Sequence, residues 1–146
     1  MDHHTVENIM TEDVIAVKSS ETLAEVYQVL DNHNFRHLPV VNKDYEIVGI
    51  ISQRDILQAC ITDESMMVAT IDRGQYLSDF PVADLMSTDP VTVDRETTIA
   101  DACQLLLDQK FDSLPVVEGR KLVGILTATD FIKELLQREE AESTAV

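Results

Sequence analysis

Apolar side chains recur along this chain in two rhythms, and the second half repeats the first. Leu23, Val26, Tyr27 and Leu30 fall at helical spacing on one face, and Ile99, Ala102, Cys103 and Leu106 repeat that face. Short apolar runs flank both helices. Val14-Ile15-Ala16-Val17, matched by Val91-Thr92-Val93, predicts a strand ahead of each helix. Leu38 to Val41 and Ile47 to Ile51, matched by Leu114 to Val117 and Leu122 to Leu126, predict two more strands behind it. The polar Asn42-Lys43-Asp44-Tyr45 separates the first pair, and the tighter Glu118-Gly119-Arg120 separates the second. Asp55-Ile56-Leu57 and Asp130-Phe131-Ile132 then open a further helix in each half, the last running into an acidic tail, Glu139-Glu140-Ala141-Glu142, expected to fray.

Hydroxyls and acids mark the helix starts. Thr22-Leu23-Ala24-Glu25 and Thr98-Ile99-Ala100-Asp101 place a hydroxyl at the N-cap and an acid three residues on, as a capping box does.

The two halves are copies. A shift of 76 residues lays Val6, Met10, Asp13 and Val17 on Val82, Met86, Asp89 and Val93, then Phe35 with Leu38-Pro39-Val40-Val41 on Phe111 with Leu114-Pro115-Val116-Val117. One deletion later, at a shift of 75, Val48-Gly49-Ile50 lies on Val123-Gly124-Ile125 and Asp55 on Asp130. A repeat of this length is one structural unit used twice. One unit, with three short strands, cannot bury both faces of its sheet. Two units related by a pseudo-twofold axis can bury sheet against sheet.

The resulting expectation is an α+β fold, sandwich-like, of two repeats, each a three-stranded sheet with two helices. Its parts are residues 1–62, a linker 63–81, residues 82–137 and an acidic tail 138–146. The linker matches neither copy. Its start is expected to continue the preceding helix through Met66 and Met67, with a turn at Asp72-Arg73-Gly74-Gln75.

Bulk properties narrow the partners. At 146 residues and 45% hydrophobic, the chain can bury a core of its own. Its net charge of -16 disfavours nucleic acid and anionic membrane surfaces, both of which demand a positive field. No apolar run reaches the roughly 20 residues of a membrane span, and Met1-Asp2-His3-His4 is followed by no signal-peptide core, which points to the cytoplasm. Cys60 and Cys103 form no Cys-x-x-Cys pair and are read as reduced, buried thiols. A small anion remains compatible with the charge, because screening over about 8 Å makes a phosphate answer to its nearest neighbours.

The order strand, helix, x-x-Leu-Pro-Val-Val, strand, Gly-h-h-[Ser/Thr]-x-x-Asp occurs twice, and it resembles the CBS motif. The pair is similar to a Bateman module. Phe35-Arg36-His37-Leu38-Pro39-Val40-Val41 with Gly49 to Asp55, and Phe111 to Val117 with Gly124 to Asp130, carry the likeness. In that family adenosine phosphates bind in clefts between the paired motifs. The resemblance implies that Asp55 and Asp130 take the ribose hydroxyls, an ionised carboxylate having two acceptor oxygens for two adjacent donors. It places Ser52 and Thr127 against a phosphate at the start of the following helix. The resemblance also implies that adenine is read by the backbone at Ile15-Ala16 and Val91-Thr92, with Pro39 and Pro115 among the lining residues. The bland reading of Ser-x-x-Asp is an ordinary capping box, and a residue can cap its helix while the cleft stays empty.

The copies differ where a phosphate would lie. Family members that bind phosphorylated nucleotides often carry an arginine three residues before the proline, and the first copy has Arg36 there, followed by His37. A guanidinium suits phosphate oxygens. The second copy has Asp112 and Ser113, and a carboxylate beside a phosphate is repelled by about 4 kcal/mol at roughly 4 Å for an effective dielectric constant near 20. The Ser52/Asp55 cleft is therefore expected to hold the phosphorylated ligand, and the Thr127/Asp130 cleft to be weaker, empty or suited to a ligand without phosphate there. Arg54, on the first turn of a helix, either adds a phosphate contact or points to water.

His33 and His37 are four apart, but the helix is expected to end between them, so no metal site is assigned. His3 and His4 are read as solvated terminal residues. The chain has no Gly-x-Ser-x-Gly, no His-Glu-x-x-His and no Gly-Lys-[Ser/Thr] loop, so it is not read as an enzyme. What remains is a regulatory module binding AMP, ADP, ATP (with which magnesium can travel) or S-adenosylmethionine, needing no other cofactor. The resemblance adds a homodimer, with the apolar faces of the Asp55 and Asp130 helices as contact surfaces. The alternative is a structural homodimer whose clefts have lost their ligands.

Overall fold

The computed structural model of the chain describes residues 4–33, 35–62, 77–78 and 80–144, leaving out the side chains of 60–62 and 143–144. Its elements run β1 (Val17–Lys18), α1 (Leu23–His33), β2 (His37–Val41), β3 (Ile47–Ser52), α2 (Gln53–Thr62), β4 (Ser87–Thr88), β5 (Val93–Asp94), α3 (Ile99–Gln109), β6 (Ser113–Glu118), β7 (Lys121–Thr127) and α4 (Ala128–Thr144). Single 3-10 turns at Val6–Asn8 and Val82–Asp84 precede the first strand of each repeat.

Local chemistry starts the helices where the hydroxyls stand. The Asp101 N–H donates to Thr98 Oγ1 at 3.1 Å, and the Glu25 N–H donates to Thr22 Oγ1 at 3.3 Å. Each cap satisfies an N–H that the helix itself leaves without a partner. α1 buries Leu23, Val26 and Leu30, while Tyr27 is half-buried. α3 buries Ala102 and Leu106 but only half-buries Ile99 and Cys103, so the Cys103 thiol, free of a disulfide, is less enclosed than its helical position suggested. Lys110 closes α3 in the left-handed region, at φ 57.

Contacts divide the chain into two units, Ile15–Pro90 and Val91–Val146 joined by Met1–Val14. In the first, the sheet order is β1-β2-β3-β4. β1 runs parallel to β2 (Val17 beside Val40), and β2 is antiparallel to β3 (Leu38 beside Ile51). The core gathers Val17, Leu23, Val26, Leu30, Leu38, Val40, Ile51, Ile56 and Val82. In the second unit the order is β5-β6-β7 with the same pairings, Val93 beside Val116 and Leu114 beside Leu126. Its core holds Val6, Met10, Val93, Ala102, Leu106, Leu114, Val116 and Leu126.

Val6 and Met10 belong to the second core although the repeat sets them at the head of the first copy. Their counterparts do the reverse. The Val6 N–H donates to the Thr97 carbonyl at 2.8 Å and the Ile99 N–H to the His4 carbonyl at 2.7 Å. In the other unit the Val82 N–H donates to the Glu21 carbonyl at 2.7 Å and the Leu23 N–H to the Phe80 carbonyl at 2.8 Å. The copies thus exchange their leading arms. His4, read as merely solvated, is exposed yet fixed by this bond, and its Nδ1 lies 3.2 Å from Arg138.

Other expectations are corrected. The leading strands begin at Val17 and Val93, not at Val14 and Val91, and end after two residues. The parallel ladder meets Pro39 and Pro115 one residue before Val40 and Val116, and proline has no N–H to extend it. The first sheet gains a fourth strand, β4, from the exchanged arm. The acidic tail does not fray at Glu139: α4 continues to Thr144, supported by the Glu134–Arg138 pair at 2.9 Å one turn earlier. Met66, Met67, the Asp72 to Gln75 turn and His3 lie outside the described residues, as does the side chain of Cys60.

Candidate functional site

β3 and β7 deliver the two carboxylates by the same local route. Each strand ends on a buried or half-buried hydroxyl residue, Ser52 or Thr127, and the next turn begins α2 or α4 with the aspartate three residues on. In the first unit the box is reciprocal. The Asp55 N–H donates to Ser52 Oγ at 3.0 Å, and the Ser52 N–H donates to Asp55 Oδ2 at 3.1 Å. The Ser52 hydroxyl thus acts as an acceptor and keeps its own hydrogen for another partner. Among the described residues Asp55, half-buried, accepts no further bond, which leaves Oδ1 and part of Oδ2 available.

The second box is wired differently. Asp130 is 8% exposed, and its Oδ2 accepts both the Thr127 N–H at 2.9 Å and the Thr127 hydroxyl at 3.2 Å. Its Oδ1 accepts the hydroxyl of Thr11, from the exchanged arm, at 3.2 Å. A carboxylate offers about four lone-pair positions, so three of them are engaged here against one on Asp55.

Around Ser52 and Asp55 stand a histidine and two arginines. His37 stands opposite Ser52 in the β2/β3 register, and the Gln53 N–H donates to the Arg36 carbonyl at 3.1 Å, which seats Arg36 beside the first turn of α2. Arg54 lies on that turn, exposed, as is Arg36. Among the described residues neither guanidinium pairs with a carboxylate, in a chain carrying 27 acidic and 11 basic side chains. At the matching places the second unit has Asp112, Ser113 (opposite Thr127) and Thr129, with no cation.

Ile15 and Ala16, and likewise Val91 and Thr92, precede the two-residue strands and stay outside the sheets. Ile15 and Val91 are exposed aliphatics, at 36% and 37%. Pro39 and Pro115 are buried in β2 and β6, where they stop the ladder that would otherwise engage this backbone. Thr92 also lines an open cavity of about 470 Å³ with Asp94, Thr97 and Gly119, whose lining does not include Thr127 or Asp130. His33 ends α1 with its ring stacked on Phe35 at 5.4 Å, whereas His37 opens β2. Among the described residues no group of three or more histidine, cysteine or acidic side chains is placed to hold a metal ion.

Thr11 escaped the sequence reading. The repeat does lay it on Ser87, hydroxyl on hydroxyl, but nothing local signals a bond spanning 119 residues.

A motif used twice, each ending in a strand-terminal hydroxyl residue with an aspartate three residues on in the following helix, defines the class of protein. The chain belongs to the CBS domain family, whose model matches residues 6–62 and 82–137. It is 32% identical to the chloroplastic CBS domain-containing protein CBSX1 of Arabidopsis thaliana, over 92% of this chain and 65% of that protein. It is 30% identical to the uncharacterized protein MJ1404 of Methanocaldococcus jannaschii, over 88% of this chain and 31% of that one. It therefore spans less than two thirds of both relatives. Among solved structures it resembles CBSX2 in complex with AMP, with a TM-score of 0.78, 32% identity and coverage of 93% of this chain and 98% of that one. No helix among the described residues is long and apolar enough to cross a membrane.

Proposed function

We propose that this protein is a regulatory module, not an enzyme, that binds an adenosine phosphate at the Ser52/Asp55 site of its first repeat. The observation that carries this reading is the Asp55 carboxylate, with acceptor positions to spare, flanked by two arginines that have no acidic partner among the described residues. Asp55 can accept a vicinal diol, the Ser52 hydroxyl can donate to a phosphate, and Arg36 and Arg54 supply its countercharge. The backbone at Ile15-Ala16, which the proline in β2 keeps out of the sheet, is the edge that reads adenine. The likeness to CBSX2, solved with AMP, supports a nucleotide monophosphate as the first ligand to try. Such binding couples to function by favouring one arrangement of the module over another.

The second site is weaker for a phosphorylated ligand, because Asp112 replaces the arginine and Asp130 is already engaged. As a second reading, the same chain serves as a homodimer. α4 exposes Ile132, Leu135 and Leu136, at 58%, 62% and 57%, on one apolar stripe that suits a second copy. The test is a thermal-shift panel of AMP, ADP, ATP and S-adenosylmethionine. Concentration-dependent stabilisation by an adenosine phosphate is the expected result, and a flat response to all four would leave the dimer reading alone.

A further inference from the structure

We propose that Thr11 is an internal occupant of the second aspartate, its hydroxyl holding the position a ligand hydroxyl would need. This rests on the reading of Asp55 and Asp130 as diol acceptors and identifies what decides between them. A vicinal diol brings two donors and needs two free positions on the carboxylate, of which Asp130 has one while Thr11 is bound and two, both on Oδ1, once it leaves. Asp130 Oδ2 already accepts two donors from Thr127, and Oδ1 accepts Thr11 at 3.2 Å. No such pair of positions is open unless a donor leaves.

The first repeat supplies an internal control. Thr11 and Ser87 occupy equivalent places, Thr11 bridged to Ile125 and Ser87 paired with Ile50, which the repeat lays on each other. The backbone register is therefore the same in both units. Both side chains are exposed, yet among the described residues only Thr11 reaches its aspartate, while Ser87 makes no bond to Asp55. The difference lies in the side chain: threonine, stiff at χ1, holds its hydroxyl on the carboxylate, whereas serine rotates freely. Two backbone bonds at 2.9 Å, from the Thr11 N–H to the Ile125 carbonyl and from the Ile125 N–H to the Thr11 carbonyl, fix the threonine there.

The experiment is calorimetric titration with adenosine, which carries no phosphate for Asp112 to repel, on three proteins lacking the first site. Asp55→Ala alone should take up no adenosine. Thr11→Val combined with Asp55→Ala should regain about one equivalent, and Thr11→Ser with Asp55→Ala, whose freely rotating hydroxyl leaves the carboxylate as that of Ser87 does, should regain it too. Uptake by Asp55→Ala alone overturns the proposal, as does silence of a cooperatively melting valine or serine variant. Should the valine variant fail to fold, Thr11→Ala on the same background is titrated and judged by the same outcomes. AMP on the wild-type protein separates the two levels. Wild-type binding lost in Asp55→Ala upholds the underlying reading whatever Thr11 does, and a wild-type protein that binds neither AMP nor adenosine overturns the reading and this proposal together.

Discussion

Met86 lies against Gly49 so closely that a β-carbon on the glycine would stand 2.6 Å from the methionine sulfur and 2.8 Å from the Ser87 carbonyl oxygen. The exchanged arm is seated on a glycine because no larger residue leaves room for its backbone. At Gly124 the same construction uses Met10, again 2.6 Å from the added carbon, but the arm's carbonyl, of Thr11, is farther off at 3.2 Å.

Gly49→Ala is therefore expected to destabilise the fold by about 1–3 kcal/mol. Gly124→Ala should cost less, since a methionine side chain can turn aside where a backbone carbonyl cannot. Chemical denaturation of both variants, compared with the wild type, checks the order, and a costlier Gly124→Ala would contradict this account of the arms.

Two residues with positive φ should respond in opposite directions. Lys110, at φ 57, terminates α3 in a conformation glycine adopts without strain, so Lys110→Gly should stabilise by roughly 1 kcal/mol. Gly119, at φ 65, has no atom within 4 Å of an added β-carbon, so Gly119→Ala should cost about 1 kcal/mol from backbone strain alone. Melting temperatures report both signs.

Ser52 has a structural duty that must be separated from ligand binding. Its Oγ accepts the Asp55 N–H, and Ser52→Ala should cost about 0.5–2 kcal/mol without any ligand present. Denaturation of ligand-free protein measures that share. Any additional loss of nucleotide affinity, at a temperature where the variant is fully folded, measures the hydroxyl's contribution to binding.

The apolar stripe on α4 predicts a dimer that a charge would break. Leu135→Glu should convert a dimer to a monomer in light scattering after size exclusion, with little change in melting of the monomer, because Leu135 is 62% exposed. A wild-type chain that runs as a monomer would contradict the dimer reading.

Much of this was legible in the sequence because the governing forces are local. Threonine caps, alternating strands and helical stripes each depend on residues a few positions apart, and the duplication reinforced every one of them. What could not be read involves distant partners. That Val6 and Met10 complete the core of the other copy follows from the exchange of arms, and both copies show the same hydrophobic spacing with or without it. The late start of the leading strands depends on a missing N–H at Pro39 and Pro115, which matters only once the parallel pairing is known. The contrast between Arg36 and Asp112 was visible in the alignment of the copies. The contrast between an open Asp55 and an engaged Asp130 required the fold.

The claim on which the account depends is that the two aspartates are not equivalent, and calorimetric titration of AMP into Asp55→Ala and Asp130→Ala tests it most directly. Loss of the charge-assisted bonds from a ribose, about 1.5–3 kcal/mol each, should weaken AMP binding to Asp55→Ala at least roughly tenfold. Asp130→Ala should bind AMP as the wild type does. Equal losses in the two variants, or a loss confined to Asp130→Ala, would contradict it.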